Sequence, residues 1–200
     1  MRSKSPRRPA PLPVAHTLFS TPFGECGIAW TARGLAWIQL PERTPKGTAA
    51  RMVKGLHAHP PSDEVEPPSW VADAIQRIAE SLAGQAPDLG AIPLDTARVS
   101  PFFCRVYAEA RAIPRGQVRT YQELAAASGS PLAMRAVGQA MAKNPWPIVV
   151  PCHRVVGSAG KPGGFSAAGG LVTKARLLAL EGAPSILLAP ARLKTRPAAS

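Results

Sequence analysis

Cysteine is scarce in this chain. Only Cys26, Cys104 and Cys152 occur among 200 residues; they lie far apart and form no Cys-x-x-Cys pair. That spacing argues against a disulfide framework and against a four-ligand zinc site. The expectation is a reducing, cytoplasmic setting with no metal. No run of about 18 apolar residues is present, so no membrane span and no membrane partner are expected. The N-terminus is basic and proline-rich but lacks an apolar h-region, which does not fit a secretory signal. Proline (23 residues) and glycine (17) are plentiful, though below the level of a chain disordered throughout. The length suits one large domain or two small ones with a buried core.

Acidic residues are also in short supply: 12 against 24 lysines and arginines, a net charge of +12. The imbalance is uneven. Residues 14–97 hold six basic and nine acidic residues, whereas residues 98–184 hold eleven basic and three acidic ones. Residues 1–13 and 185–200 hold seven basic residues and no acid. A mildly acidic N-terminal half is therefore joined to a strongly basic C-terminal half, a polarity that attracts nucleic acid or simply keeps a surface solvated. The expected organisation is a basic disordered tail (1–13), an N-terminal domain (14–95), a C-terminal domain (98–184) and a second basic tail (185–200).

Short apolar runs around Phe19, Ile28–Trp30 and Leu35–Ile38 predict strands, with Arg33-Gly34 in a hairpin turn. After a polar, proline-rich stretch (Pro41–Pro68) with a short helix near Arg51–Leu56, Ser69 is placed to cap a helix in which Val71, Ile75, Ile78 and Leu82 keep helical spacing. Trp30, Trp37 and Trp70 fit core positions. Ser100-Pro101 opens another helix with Phe102, Val106, Ala110 and Ile113 on its buried stripe. Thr120-Tyr121-Gln122-Glu123 is a capping box for a short helix stopping at Gly129, and Ser130-Pro131 starts a further helix to about Lys143. Two short helices around a glycine turn suggest a helix-turn-helix. On the second, Ala133, Val137 and Ala140 face the core, while Arg135, Gly138, Gln139 and Ala142 present one cation among small residues. Such a face can approach a nucleic-acid groove closely, although a salt-bridged arginine is the simpler reading.

Asn144-Pro145 ends that helix and leads into Pro151-Cys152-His153-Arg154. A thiol becomes a good nucleophile on losing its proton, and a neighbouring imidazole or cation lowers its pKa. A buried, inert cysteine is the plain alternative. A Gly-rich loop (Gly157–Gly170) follows, then a last helix carrying Leu171, Ala175 and Leu178 and ending near Glu181. A carboxylate at a helix C-terminus is disfavoured by the dipole and wants a partner, either His153 or, less tellingly, Lys174 or Arg176.

Residues 98–184 resemble the catalytic domain of the O6-alkylguanine-DNA alkyltransferases (methylated-DNA–protein-cysteine methyltransferases). The resemblance rests on Arg119-Thr120-Tyr121-Gln122-Glu123-Leu124-Ala125, Arg135-Ala136-Val137-Gly138, Asn144-Pro145-Trp146-Pro147, Pro151-Cys152-His153-Arg154-Val155-Val156 and Leu177-Leu178-Ala179-Leu180-Glu181-Gly182. The N-terminal half matches loosely, through Thr21-Pro22-Phe23-Gly24 and Gly34-Leu35. The resemblance implies an α/β protein of two domains: an N-terminal β-sheet domain with a helix, RNase H-like, and a mainly helical helix-turn-helix domain carrying the active site. It implies a monomer acting on double-stranded DNA that bears O6-alkylguanine, with O4-alkylthymine as a further candidate, by a single suicidal transfer to Cys152 after base flipping. His153 would take the thiol proton through a water, Glu181 would orient it, Asn144 would order the loop and Tyr121 would help guanine leave. Arg135, with Ala136 and Gly138, would fill the vacated stack; Gln122, Ser130 and Ser158 would contact phosphates. Met141, Pro147, Val155, Phe165 and Ser166 would form the pocket. No cofactor is implied.

This chain departs from the family in carrying Phe103 and Tyr107 where glutamine and tryptophan are usual, and in Ser166-Ala167-Ala168-Gly169-Gly170, two residues longer than the usual Ser-Gly-Gly. The zinc ligands of some relatives have no counterparts, since Cys26 lacks partners. Three other functions compete. A non-catalytic lesion sensor would carry tryptophan in place of Cys152. A cysteine hydrolase would need His16, His57 or His59 from weakly patterned regions. A helix-turn-helix regulator would leave Cys152 inert.

Overall fold

A computed structural model describes residues 14–56, 66–158 and 161–183. The two tails expected to be disordered, and with them His57 and His59, lie outside the described residues.

Three strands form an antiparallel meander in the order β1 (Ala15–Thr21), β2 (Gly24–Thr31), β3 (Gly34–Gln39). The central strand β2 is buried along most of its length. The Arg33-Gly34 turn forms as expected. At Gly34, φ is 144° and a Cβ would stand 2.7 Å from the Pro93 carbonyl oxygen, so only glycine allows the interdomain segment to lie against β3. Leu35 N–H donates to that carbonyl at 2.9 Å and Asp95 N–H returns a bond to the Leu35 carbonyl at 2.8 Å.

Two helices accompany this sheet. α1 runs over Pro45–Leu56 and begins six residues before the expected start, because the Thr44 hydroxyl accepts from Gly47 N–H at 3.1 Å and Pro45 follows as a first-turn proline. α2 spans Ser69–Leu82, with Val71, Ile78 and Leu82 buried. Ser69 does not cap it; Pro68 occupies the cap position with no side-chain bond. Trp30 is buried, whereas Trp37 and Trp70 are only half-buried.

The C-terminal domain opens with α3 (Pro101–Arg111), capped by the Ser100 hydroxyl accepting from Phe103 N–H. Its stripe is as expected, with Val106, Ala110 and Ile113 buried and Phe102 half-buried. Tyr107 packs edge-on against Trp146 and donates to the Ala140 carbonyl at 2.9 Å. β4 (Arg119–Thr120) feeds α4 (Tyr121–Ala127), whose capping box is complete. α5 covers Met134–Ala142. It starts later than expected: Ser130-Pro131 makes a turn closed by Ala133 N–H to the Ser130 carbonyl at 2.9 Å. After it come one 3-10 turn (Cys152–Arg154), β5 (Val155–Val156) and α6 (Leu171–Leu180). β5 pairs in parallel with β4, which sets the start of α4 beside the Cys152 segment. The architecture is a two-domain α/β fold, an N-terminal sheet and a mainly helical C-terminal part, sharing one continuous apolar core.

The seam between the halves is hydrogen-bonded. Trp146, 1% exposed, donates Nε1–H to the Leu35 carbonyl at 2.7 Å, and Ile38 N–H donates to the Pro145 carbonyl at 2.7 Å. The segment leading to Cys152 is thereby fastened to β3. Arg176 adds a second staple, its guanidinium 3.9 Å from the centre of the Phe23 ring. Trp146→Phe removes the interdomain bond and leaves unfilled volume, and should destabilise the protein by about 2 kcal/mol. Urea unfolding checks this; an unchanged midpoint would mean that the seam contributes little.

Candidate active site

Cys152 stands at the start of the 3-10 turn, 7% exposed, on a cavity of about 360 Å³. Cys152 and His153 are therefore held in a tight turn. The strap before it is under strain: Ile148, a β-branched residue, is held at φ 75°, a conformation costing about 1–3 kcal/mol. Asn144 locks the strap, its Nδ2 donating to the Val150 carbonyl at 2.8 Å and its Oδ1 accepting from Trp146 N–H at 2.9 Å.

His153 is 1% exposed, with Nε2 2.9 Å from Glu181 Oε1. An ionised carboxylate can only accept, so Nε2 carries the proton and Nδ1 keeps the lone pair. Nδ1 is buried and has no hydrogen-bond partner among the described residues. Burial pushes His153 below its usual pKa, with Arg154 and Lys174 adding to the effect against the pull of Glu181. Glu181, as expected, partners His153 and neither Lys174 nor Arg176. It also binds Arg154 through a fork, Nε to Oε2 at 2.9 Å and Nη2 to Oε1 at 2.8 Å, while Arg154 Nη1 donates to the Ile113 carbonyl at 2.6 Å. Burial alone would raise the Glu181 carboxyl, but hydrogen bonds and charge from His153 and Arg154 hold it at about 2.

Burial also raises the Cys152 thiol, against the Asn144 side chain, the Lys174 charge and two backbone amides. The resting pair is thus a neutral thiol and a neutral imidazole. This differs from the ready thiolate that the Cys-His pair alone suggests. Lys174 is 1% exposed and donates to the Val155 and Pro162 carbonyls, and burial lowers its pKa to about 8. It fastens the Gly-rich loop to the strand that follows Cys152.

Tyr121 opens α4, half-buried, with its phenol pKa raised by burial and by the Cys152 charge. Gly163, at φ 66°, lies so near the ring that a Cβ would come within 2.9 Å of it. A second cavity of about 440 Å³ joins Tyr121, Gly138, Met141, Ala142, Phe165 and Ser166. Ala142, Phe165 and Ser166 border both cavities, and Pro147 and Ala167 border the one holding Cys152. Val155 lines neither cavity; it is buried in β5 opposite Arg119. Arg135, Gln122 and Ser158 are exposed, and Ala136 and Ser130 half-buried.

Arg154, Lys174 and the N-terminal walls of the Cys152 cavity, Trp37, Arg51 and Lys54 among them, were not foreseen. Lys174 had a usable signal: it sits three and four residues before Leu177 and Leu178, on the same buried face.

Glu181 generates a pH test. Its folded pKa of about 2 lies below the ordinary 4.5, so its contribution is fully present above pH 4.5 and lost as pH falls towards 2. Native protein should exceed Glu181→Gln in stability by about 3 kcal/mol at pH 6, and the gap should narrow by roughly half or more at pH 3. Urea unfolding at the two pH values checks this; a constant gap would contradict it.

Residues 101–183 match the family model described as 6-O-methylguanine DNA methyltransferase, DNA binding domain. The methylated-DNA–protein-cysteine methyltransferase of Mycolicibacterium paratuberculosis is 41% identical over 144 residues, 72% of this chain and 85% of that one. That of Methanothermobacter thermautotrophicus is 33% identical over 162 residues, 80% of this chain and 81% of its own. The crystal structure of Mycobacterium tuberculosis OGT in complex with DNA superposes with a TM-score of 0.63 at 31% identity, covering 87% of this chain and 98% of that one. On these identities and coverages the chain belongs to the methylated-DNA–protein-cysteine methyltransferase family.

Proposed function

We propose that this chain performs direct-reversal repair, moving the alkyl group of O6-alkylguanine in double-stranded DNA onto its own Cys152, once per molecule. The observation that carries this reading is the hydrogen bond from His153 to buried Glu181, which leaves Nδ1 without a partner among the described residues and able to accept a proton, on the residue that follows the thiol bordering the cavity. The flipped base enters the Tyr121 cavity. The thiol proton passes to His153 Nδ1 through a water as Sγ attacks the alkyl carbon. The bond from that carbon to O6 breaks, and its electron pair leaves with the purine. Tyr121, kept protonated by its burial, donates to guanine N3 so that the base departs neutral. Glu181 stabilises the imidazolium that forms, and Lys174 favours the thiolate. The S-alkylcysteine product is a thioether with no ready hydrolytic exit, so the protein is consumed.

The remaining roles follow the exposed face. Arg135, on the first turn of α5, fills the gap left in the stack, with Ala136 and Gly138 allowing the helix to approach. Gln122, Ser130 and Ser158 meet phosphates, Ser166 contacts O6, and Met141, Pro147 and Phe165 form the walls. We place the working units at 14–95, an RNase H-like sheet domain, and 98–184, and infer a cytoplasmic monomer needing no cofactor. No helix among the described residues is long and apolar enough to cross a membrane.

Intact mass after mixing with duplex carrying one O6-methylguanine should rise by one methyl per molecule, mapped to Cys152. Tight binding without a mass change would make the protein a lesion sensor. Cys152→Ala should lose transfer and keep DNA binding; transfer that persists would remove Cys152 as acceptor. Arg135→Ala should slow repair of duplex far more than reaction with free O6-benzylguanine. Equal losses on both would refute the stack-filling role.

A further inference from the structure

Transfer of a methyl group makes no use of Arg51, Lys54 or Lys143, which line the cavity beside Cys152. The cavity holding the thiol lies between the domains: β3 and α1 supply Trp37, Arg51 and Lys54, and the C-terminal domain supplies Lys143 and Pro147. Among the described residues, three cations line it and no carboxylate does. α1 carries Lys46, Arg51 and Lys54 without one acid, although residues 14–97 as a whole hold more acids than bases. The acid near Arg51 is Glu42, 4.0 Å away in a pair whose arginine is about half exposed, so it offsets little of the positive field. At about 360 Å³ the space falls within the range of small-ligand pockets, ~300–1,000 Å³, and far exceeds one methyl.

The base cavity around Tyr121 does not include Cys152; Phe165 and Ser166 border both spaces. A guanine held by Tyr121 can therefore reach the thiol by directing its O6 substituent across the border formed by Ala142, Phe165 and Ser166 into the cation-lined space. We infer that this space receives the alkyl group and favours O6-alkyl groups ending in a carboxylate, carboxymethyl being the smallest. The inference rests on the alkyl-transfer reading above. Sγ bonds to the methylene carbon, the methylene–O6 bond breaks, guanine takes the electron pair and a proton, and S-carboxymethylcysteine remains. The carboxylate is unchanged throughout and is held by Arg51 and Lys54, whose charges act together on it.

The test compares duplexes carrying O6-carboxymethylguanine with the uncharged mimic O6-carbamoylmethylguanine, reading transfer rates by intact mass. The full native chain should prefer the carboxylate about tenfold, and the Arg51→Gln, Lys54→Gln double variant should lose most of that ratio. Both side chains are exposed, so the core is left alone. A native ratio near one, or a ratio unchanged in the variant, would overturn the inference. Equal slowing of both lesions would overturn it as well, assigning the cations to the phosphate backbone. O6-methylguanine is the control arm: failure of the native chain there would sink the alkyl-transfer reading itself, whereas methyl transfer without a charge preference sinks only this inference.

Discussion

The buried carboxylate of Glu181 is the constraint around which the site is built. It accepts from His153 and from Nε and Nη2 of Arg154, and Arg154 Nη1 extends the network to the Ile113 carbonyl just past the end of α3. Three segments distant in sequence thus converge on one negative charge at the C-terminus of α6, where the helix dipole alone would disfavour it. A turn glycine shows how closely they pack: at Gly116, φ 75°, a Cβ would lie 2.8 Å from the Glu181 carbonyl oxygen. Removing one partner from such a buried group leaves an uncompensated charge, so the network acts as a unit.

The chemical consequence is restraint. With burial raising the thiol and lowering the imidazole, the free protein keeps its nucleophile protonated. A neutral thiol is a poor target for stray electrophiles and oxidants, a useful property in a protein consumed by one reaction. Proton transfer and attack then belong to the moment when a lesion is in place. The strap from Asn144 to Pro151 holds this poise mechanically, with Ile148 strained and Trp146 anchored on β3. The N-terminal sheet is therefore part of the active site's support.

What was legible in the sequence was local or chemically demanding. The capping box at Thr120, the cap at Ser100, the Arg33-Gly34 turn and the need of Glu181 for a partner each follow from a few neighbouring residues. The failures have equally local causes. Ser130-Pro131 and Ser69 look like helix starts, yet the first closes a turn and the second lies inside its helix, since a capping side chain is only an opportunity that packing can decline. α1 was read too short because its first turn, Pro45 to Thr48, carries few apolar residues. Arg154 sat unassigned inside the motif that carried the resemblance, because a second cation on one carboxylate is decided by tertiary packing. The cation-lined cavity was beyond reach for the same reason: its walls come from residues about a hundred positions apart.

The transfer chemistry turns on which nitrogen of His153 carries the lone pair. Nitrogen-15 shifts of the His153 imidazole, followed across pH in the native protein, read this directly. The expected result is a neutral ring protonated at Nε2 throughout the neutral range, charging only below the ordinary histidine pKa of 6.5. A ring protonated at Nδ1, or an imidazolium at pH 7, would leave no acceptor for the Cys152 proton and would contradict the mechanism.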